Sequence, residues 1–274
     1  MNLKSLGYRT DMIFHTFDGE IIDRGDYLVL RTPSNPGFYW GNYLLFSQPP
    51  QVGDVLKWRK LFTQEIGTPP ETEHQVFGWD SPGGEEGIVD PFLQAGFRLE
   101  RNVVLTSSEP RSPSRPSSLV TIRALHTESD WEQALENQVI CREAEFDEDE
   151  YREYRKGQME RYRNMVAAGL GDWYGAFVDQ RLVADLGLFY DKGLARYQTV
   201  QTHPGFRRRG IAGTLVYSAG RQSMANYGLH TLVIVAEQAS NAARLYESLG
   251  FKPTEKQVGL EKWPNMDHST NDSG

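Results

Sequence analysis

The stretch from Thr106 to Ser118, TSSEPRSPSRPSS, is serine, proline and charge with almost no apolar residue. A run built of serine, proline and charge has nothing to bury, so it cannot join a packed core and reads as a linker or exposed connection. The fold must therefore be built from what lies on either side. This predicts a domain over residues 1–105, a linker over 106–118 and a second domain over 119–264. The polar tail 265–274 holds too little apolar surface to fold and is expected to be disordered. A chain of 274 residues is comfortable for two such domains.

Charge narrows the function classes. The formal net charge is −8, with 11 basic and 15 acidic residues before Ser118 and 18 and 22 after it, so each part carries −4. Neither part is a basic domain, which argues against general binding of nucleic acid or an anionic membrane. An anionic ligand would have to be held by a local device. A single cysteine, Cys141, excludes an internal disulfide and a cysteine-based zinc cluster, and no metal site is expected. It falls in a helical stretch and reads as a buried thiol rather than a nucleophile. No apolar run is long enough for a signal peptide or a membrane span, so a cytoplasmic monomer or homodimer is expected.

The second part reads as a strand over Leu119–Leu125, then helices over Trp131–Cys141 and Asp149–Ala168. Strands follow over Trp173–Val178, Arg181–Tyr190 and Ala195–Thr202, joined by tight hairpin turns at Asp179-Gln180 and Lys192-Gly193. A helix from Arg209 to Tyr227 ends at Gly228, a strand covers His230–Ala236, a helix Asn241–Leu249, and a last strand Lys256–Trp263. The first part is an abbreviated version. It reads as strands over Tyr27–Arg31, Phe38–Phe46, His74–Trp79 and Phe97–Leu105, with helices over Gly53–Ile66 and Val89–Ala95. Its Gly96-Phe97 echoes Gly250-Phe251, which suggests an internal duplication. The fold class is mixed α/β (α+β), each part around one sheet. The aromatic run Phe38, Tyr39, Trp40 and Tyr43 reads as core in preference to the wall of a cleft.

The segment richest in chemistry is Val200-Gln201-Thr202-His203-Pro204-Gly205-Phe206-Arg207-Arg208-Arg209-Gly210-Ile211-Ala212-Gly213-Thr214. It runs from a strand through a proline turn into a helix start, with small residues spaced R-x-x-G-x-A. The first turn of a helix leaves backbone N–H groups without intrahelical partners at a positive dipole end, which suits a pyrophosphate. Gly210 and Ala212 let phosphates come close, and the arginines supply local charge. The competing reading is a solvated arginine run with Gly210 as a turn residue. No lysine follows Gly210, so this is not an ATP-binding P-loop.

About 35 residues on lies Ser240-Asn241-Ala242-Ala243-Arg244-Leu245-Tyr246-Glu247-Ser248-Leu249-Gly250-Phe251. Ser240 is a plausible N-cap, and Ala242, Leu245 and Leu249 make one apolar stripe. Tyr246 lies beside that stripe, where its hydroxyl could reach a cleft and protonate a departing thiolate; the competing reading is a packed aromatic with a wet tip.

Taken together, the R-x-x-G-x-A of Arg207–Ala212 and the L-Y-x-x-x-G-F of Leu245–Phe251 resemble motifs A and B of the GNAT superfamily of N-acetyltransferases. The resemblance extends more loosely over Leu119–Pro264. It implies a mixed sheet whose fourth and fifth strands splay apart to admit the pantetheine arm of acetyl-CoA. It also implies that Val200, Gln201 and Thr202 bind the acetyl and pantetheine groups, and that Arg207, Arg208, Arg209, Gly210, Ile211, Ala212, Gly213 and Thr214 hold the pyrophosphate. Tyr246 is then the candidate acid. Many members carry an asparagine seven residues before the tyrosine, where this chain has Ala239; Asn241 sits five before it. The implied activity is acetyl transfer from acetyl-CoA to a small-molecule or protein amine. For the general base the candidates are Glu237, at the end of the strand before motif B, Asp185 in an inner strand, and His203 in the proline turn. The first part lacks the phosphate motif (SQPPQVGDV between Phe46 and Leu56) and is not expected to bind CoA in this manner. A catalytically idle CoA-binding or scaffolding protein is the alternative.

Overall fold

The structure is a computed structural model that describes residues 1–144 and 146–263. The expected disordered tail, 265–274, lies outside the described residues. The chain divides into two compact units, Met1–Val104 with the segment from Glu255 onward, and Leu105–Thr254.

The first unit contains α1 (Leu6–Asp18), β1 (Glu20–Asp23), β2 (Tyr27–Arg31), β3 (Tyr43–Phe46), α2 (Asp54–Glu65), β4 (Gln75–Trp79), α3 (Asp90–Gln94) and most of β5 (Arg98–Ser107). The second contains β6 (Thr121–Ala124), α4 (Glu128–Ile140), α5 (Glu148–Ala167), β7 (Gly171–Val178), β8 (Arg181–Asp191), β9 (Leu194–Thr202), α6 (Ile211–Tyr227), β10 (Thr231–Glu237) and α7 (Asn241–Ser248). The last strand, β11 (Lys252–Lys262), begins in the second unit, and from Glu255 it belongs to the first. This differs from the expected second domain over 119–264, which includes the strand. Its side chains decide otherwise: Gly259 to Lys262 pair antiparallel with Gly78 to Gln75 of β4, and Val258 and Leu260 enter the core of the first unit.

In the first unit the strand order is β1-β2-β3-β4-β11-β5. Alternation along the strands sends Val29, Leu44, Phe46 and Phe77 toward α2 and α3, where Trp58 and Phe92 wait. Leu28, Leu30, Tyr43, Leu45 and Val76 face the other way and pack with Tyr8 of α1. Ser5 caps α1, and the Glu255 carboxylate accepts from Leu6 N–H at 2.8 Å and from the Ser5 hydroxyl at 2.8 Å. Two elements here were not expected, α1 and β1. The expected strand over Phe38–Phe46 is a 3-10 turn at Tyr39–Gly41 followed by a shorter strand, because Asn42 turns its amide onto the carbonyls of Asn35 and Phe38. Of the aromatic run, Tyr43 is fully buried in this core and Tyr39 and Trp40 pack against it.

In the second unit the order is β10-β9-β8-β7-β6. The hairpin turns have φ +47° and +70° at Asp179 and Gln180, and +47° and +80° at Lys192 and Gly193. Both residues of each turn are left-handed, the mirror-type turn whose twist matches antiparallel strands. Trp173 is enclosed by Tyr162 of α5, stacked at 4.9 Å, and by Phe189 and Trp131. α6 ends at Gly228 with φ +64°, the expected left-handed cap.

One run, strand–helix–strand–helix–Gly-Phe–strand, occurs twice along the chain: β3-α2-β4-α3-β5 and β9-α6-β10-α7-β11, the last strand of the second copy passing into the first unit at Glu255. Gly53 and Gly210 precede the first helix of each run, and Gly96 and Gly250 follow the second, all four with φ between +75° and +87°.

Candidate functional site

The second unit opens its sheet. β9 and β10 run parallel and pair at Leu194–Thr231, Ala195–Leu232 and Arg196–Val233, and there the register stops. β9 continues for six more residues and β10 for four, unpaired with one another. Side chains from Gln198 to Thr202 are half-exposed although they sit in an inner strand. In the first unit the corresponding strands stay zipped: Leu44–Phe77, Leu45–Gly78 and Phe46–Trp79 pair, and Asp80 N–H adds a bond to the Phe46 carbonyl at 2.9 Å. The Trp58 ring stacked on Phe46 at 3.7 Å locks that end.

The open stretch of β9 contains a bulge. Asp185 of β8 lies opposite Gln201, but Gly187 lies opposite Gln198, so Thr199 and Val200 together face Leu186 alone. Thr199 has φ +49°, a conformation that costs a β-branched residue steric energy. The bulge breaks the ladder and re-aims the backbone N–H groups of this stretch. Sequence reading singled out Val200, Gln201 and Thr202 but missed Thr199, since a threonine inside a strand-like run gives no sign of a left-handed backbone.

At the mouth of the opening, Pro204–Phe206 forms a 3-10 turn capped by His203, whose Nδ1 accepts from Gly205 N–H at 3.1 Å. His203 is thus a turn-former; burial, then Arg181 and Arg207, push its pKa down. Arg207 folds back, its Nε donating to the Thr202 carbonyl at 3.1 Å and its guanidinium lying by Cys141. Arg208 is left-handed (φ +60°), and Arg209 lies over the Phe206 ring. Gly210, with φ +75°, begins α6 with no side-chain cap. α4, α5 and α7 are each closed by a side chain of their own N-cap: Thr127, Asp147 and Ser240. Among the described helices of this unit, α6 alone has no N-cap side chain on its first N–H groups, which lie next to exposed Arg208 and Arg209. Thr214 points elsewhere, donating to the Gly210 carbonyl at 2.8 Å and accepting from Ser117 N–H at 2.9 Å. Gly213 and Ile211 are buried, with Gly213 against Leu245 and Pro113. The serine–proline segment is therefore fastened beside the helix start, and Arg111 N–H also bonds the Leu249 carbonyl at 2.7 Å.

Tyr246 is 6% exposed on α7, packed near Phe251, and burial raises its pKa to about 12. Asn241 is spent on Arg244, whose Nη2 donates to its Oδ1 at 2.7 Å. Glu237 ends β10, exposed. Asp185 is fully buried and accepts from Asn137 (2.6 Å), Gln138 (2.8 Å) and Trp173 Nε1 (2.9 Å); desolvation outweighs these donors and raises its pKa to about 6. With both oxygens engaged and no exposed surface, it is no direct proton acceptor. Cys141 is a buried thiol against the Thr202 carbonyl, its pKa raised chiefly by burial.

Residues 179–259 match the family model described as FR47-like protein. A functionally unknown conserved protein from Staphylococcus epidermidis has a similar structure, at 15% identity and TM-score 0.67, covering 90% of this chain and 94% of its own. A GCN5-related N-acetyltransferase from Kribbella flavida superposes at TM-score 0.62 with 14% identity, covering 94% of each chain. One from Sphaerobacter thermophilus gives TM-score 0.56 at 16% identity over 88% of this chain and 82% of its own. No curated protein matches the sequence.

Proposed function

We propose that this chain, a protein of the GNAT N-acetyltransferase fold whose second unit alone keeps its strands parted, moves an acetyl group from acetyl-CoA to a primary amine. The observation that carries this reading is the combination on one strand. β9 parts from β10 after Arg196, bulges at Thr199, and leads directly into a helix start without a cap. A thioester with a long polar arm and a pyrophosphate is complementary to that sequence of features.

In this reading the N–H groups of Ile211, Ala212 and Gly213, with Arg208 and Arg209, hold the pyrophosphate. Gln201 and Thr202 take the pantetheine amides in the manner of an added strand. The re-aimed N–H groups at Thr199–Val200 polarise the thioester carbonyl and hold the developing oxyanion. The neutral amine attacks that carbon, the C–N bond forms and the C–S bond breaks. Tyr246, kept protonated at neutral pH by its burial, gives its proton to the departing thiolate. Glu237 is the proposed base, directly or through water. Arg207 acts on the loop, holding its turn against the Thr202 carbonyl. The first unit, zipped where the second is open, binds no CoA. The setting is cytoplasmic.

Calorimetric titration of acetyl-CoA, followed by thiol release with an amine panel, tests this. Saturable one-to-one binding with turnover is expected. Binding without turnover of any amine would point to the idle CoA-binding protein, and absence of binding by folded protein would remove the reading altogether.

A further inference from the structure

One face of α5 does not belong to the machinery above. Tyr151, Tyr154, Arg155, Gln158 and Tyr162 follow at steps of three and four and share a stripe. The stripe reaches the bulged strand, because Gln198 Nε2 donates to the Tyr162 hydroxyl at 2.9 Å, one residue before Thr199.

Arg155 is half-buried there. Its Nε donates to the Tyr151 hydroxyl at 2.9 Å, and its guanidinium lies 5.3 Å from the ring centroids of both Tyr151 and Tyr154. Its other nitrogens have no acceptor among the described residues. Arg152 and Arg163 on the same helix each face a glutamate, Glu136 and Glu128, but among the described residues no carboxylate pairs with Arg155. Asp185 feels its charge only at longer range, its own oxygens held by three other donors. A half-buried guanidinium without an anion is poised for one.

Gln158 supplies the second half. It is 1% exposed, its Nε2 donates to the Tyr154 hydroxyl at 3.1 Å, and its Oε1 has no donor. A buried acceptor left open costs free energy until a donor reaches it. A cation lacking an anion beside an acceptor lacking a donor is complementary to one kind of small molecule, a zwitterion.

We propose that the acceptor is an amino acid, its carboxylate bound by Arg155 and one ammonium hydrogen received by Gln158 Oε1. This rests on the transferase reading above. The balance is RNH3+ and acetyl-CoA to the N-acetyl amino acid, CoA thiol and one proton. The ammonium releases a proton before attack, and the nitrogen loses a second as the amide forms, the thiolate taking up one of the two.

The test compares a mixture of the common amino acids with a mixture of the amines left by their decarboxylation, each with acetyl-CoA, on the full chain. The amino acids should be turned over about 10–100-fold more efficiently, the worth of one charged hydrogen-bonded contact. In Arg155→Met the two mixtures should converge, the loss appearing mainly in KM, and Arg155→Lys should recover part of it. Equal use of both mixtures by the wild type, or turnover of neither by protein that binds acetyl-CoA, would overturn the proposal. The same holds if Arg155→Met slows both alike. Should that variant not fold, the wild-type comparison decides alone. Failure to bind acetyl-CoA at all counts against the transferase reading itself.

Discussion

Gly53 and Gly210 hold the same left-handed backbone, φ +87° and +75°, each as the residue before a helix. Their neighbours differ. Gly53 is followed by Asp54, whose carboxylate already takes the Gln51 N–H at 2.8 Å, whereas Gly210 follows Arg207, Arg208 and Arg209. The turn is common to both units, and the charge that would invite an anion is present at only one of them.

A Gly210→Glu variant should therefore lose acetyl-CoA binding. The side chain brings negative charge to the helix start, and its Cβ would lie 2.5 Å from the Arg115 carbonyl in a backbone that L-residues adopt at roughly 1–2 kcal/mol. Gly53→Ala has nothing within 4 Å of its Cβ. It should cost about 1 kcal/mol of stability and leave acetyl-CoA affinity unchanged by calorimetry.

Tyr246→Phe keeps the packing against Phe251 and removes the proton donor. Turnover should fall about 10²-fold with the acetyl-CoA dissociation constant unchanged. Equal turnover in variant and wild type would take Tyr246 out of the mechanism.

Thr199 is held where glycine would sit without steric cost. Thr199→Gly should leave stability within about 1 kcal/mol of wild type. Thr199→Pro, whose ring fixes φ near −65°, cannot keep the bulge and should lower kcat/KM at least ~10²-fold, as the loss of oxyanion donors does. Thermal melts and thiol release measure the two effects separately.

Asp185 gives a pH signature of definite sign. Its pKa rises on folding to about 6, so between pH 4 and 6 the folded state binds more protons than the unfolded one. This group's contribution to stability then declines as pH rises, by about 3 kcal/mol in all. Denaturant melts across that range should show a steeper fall for wild type than for Asp185→Asn. Parallel slopes would mean that Asp185 folds ionised.

Much of the second unit was legible because its signals are local. Two mirror-type turns, the glycine after α6 and the serine before α7 each announce a backbone conformation through one or two residues. α1 was hidden because its buried face includes Thr10 and His15 beside Tyr8 and Phe14, which blurs the apolar period. The half-site on α5 was visible only as tyrosines at mixed spacing. What marks Arg155 is that no described residue offers it a carboxylate, and a sequence does not show which charges go unpaired. Tyr246 and the arginine loop could be named in advance, but the parting of β9 from β10 is a property of register, which no single residue carries.

The placement of β11 bears on how the protein is made. Glu255 holds the first turn of α1, and Gly259 to Lys262 line β4, so the first unit depends on residues some 250 positions from its own beginning. During synthesis that unit emerges early yet stays an incomplete sheet, with β4 paired to β3 alone, until residues 255–262 have been made. The second unit's own elements need no such wait. The half translated first is thus the half that completes its fold last.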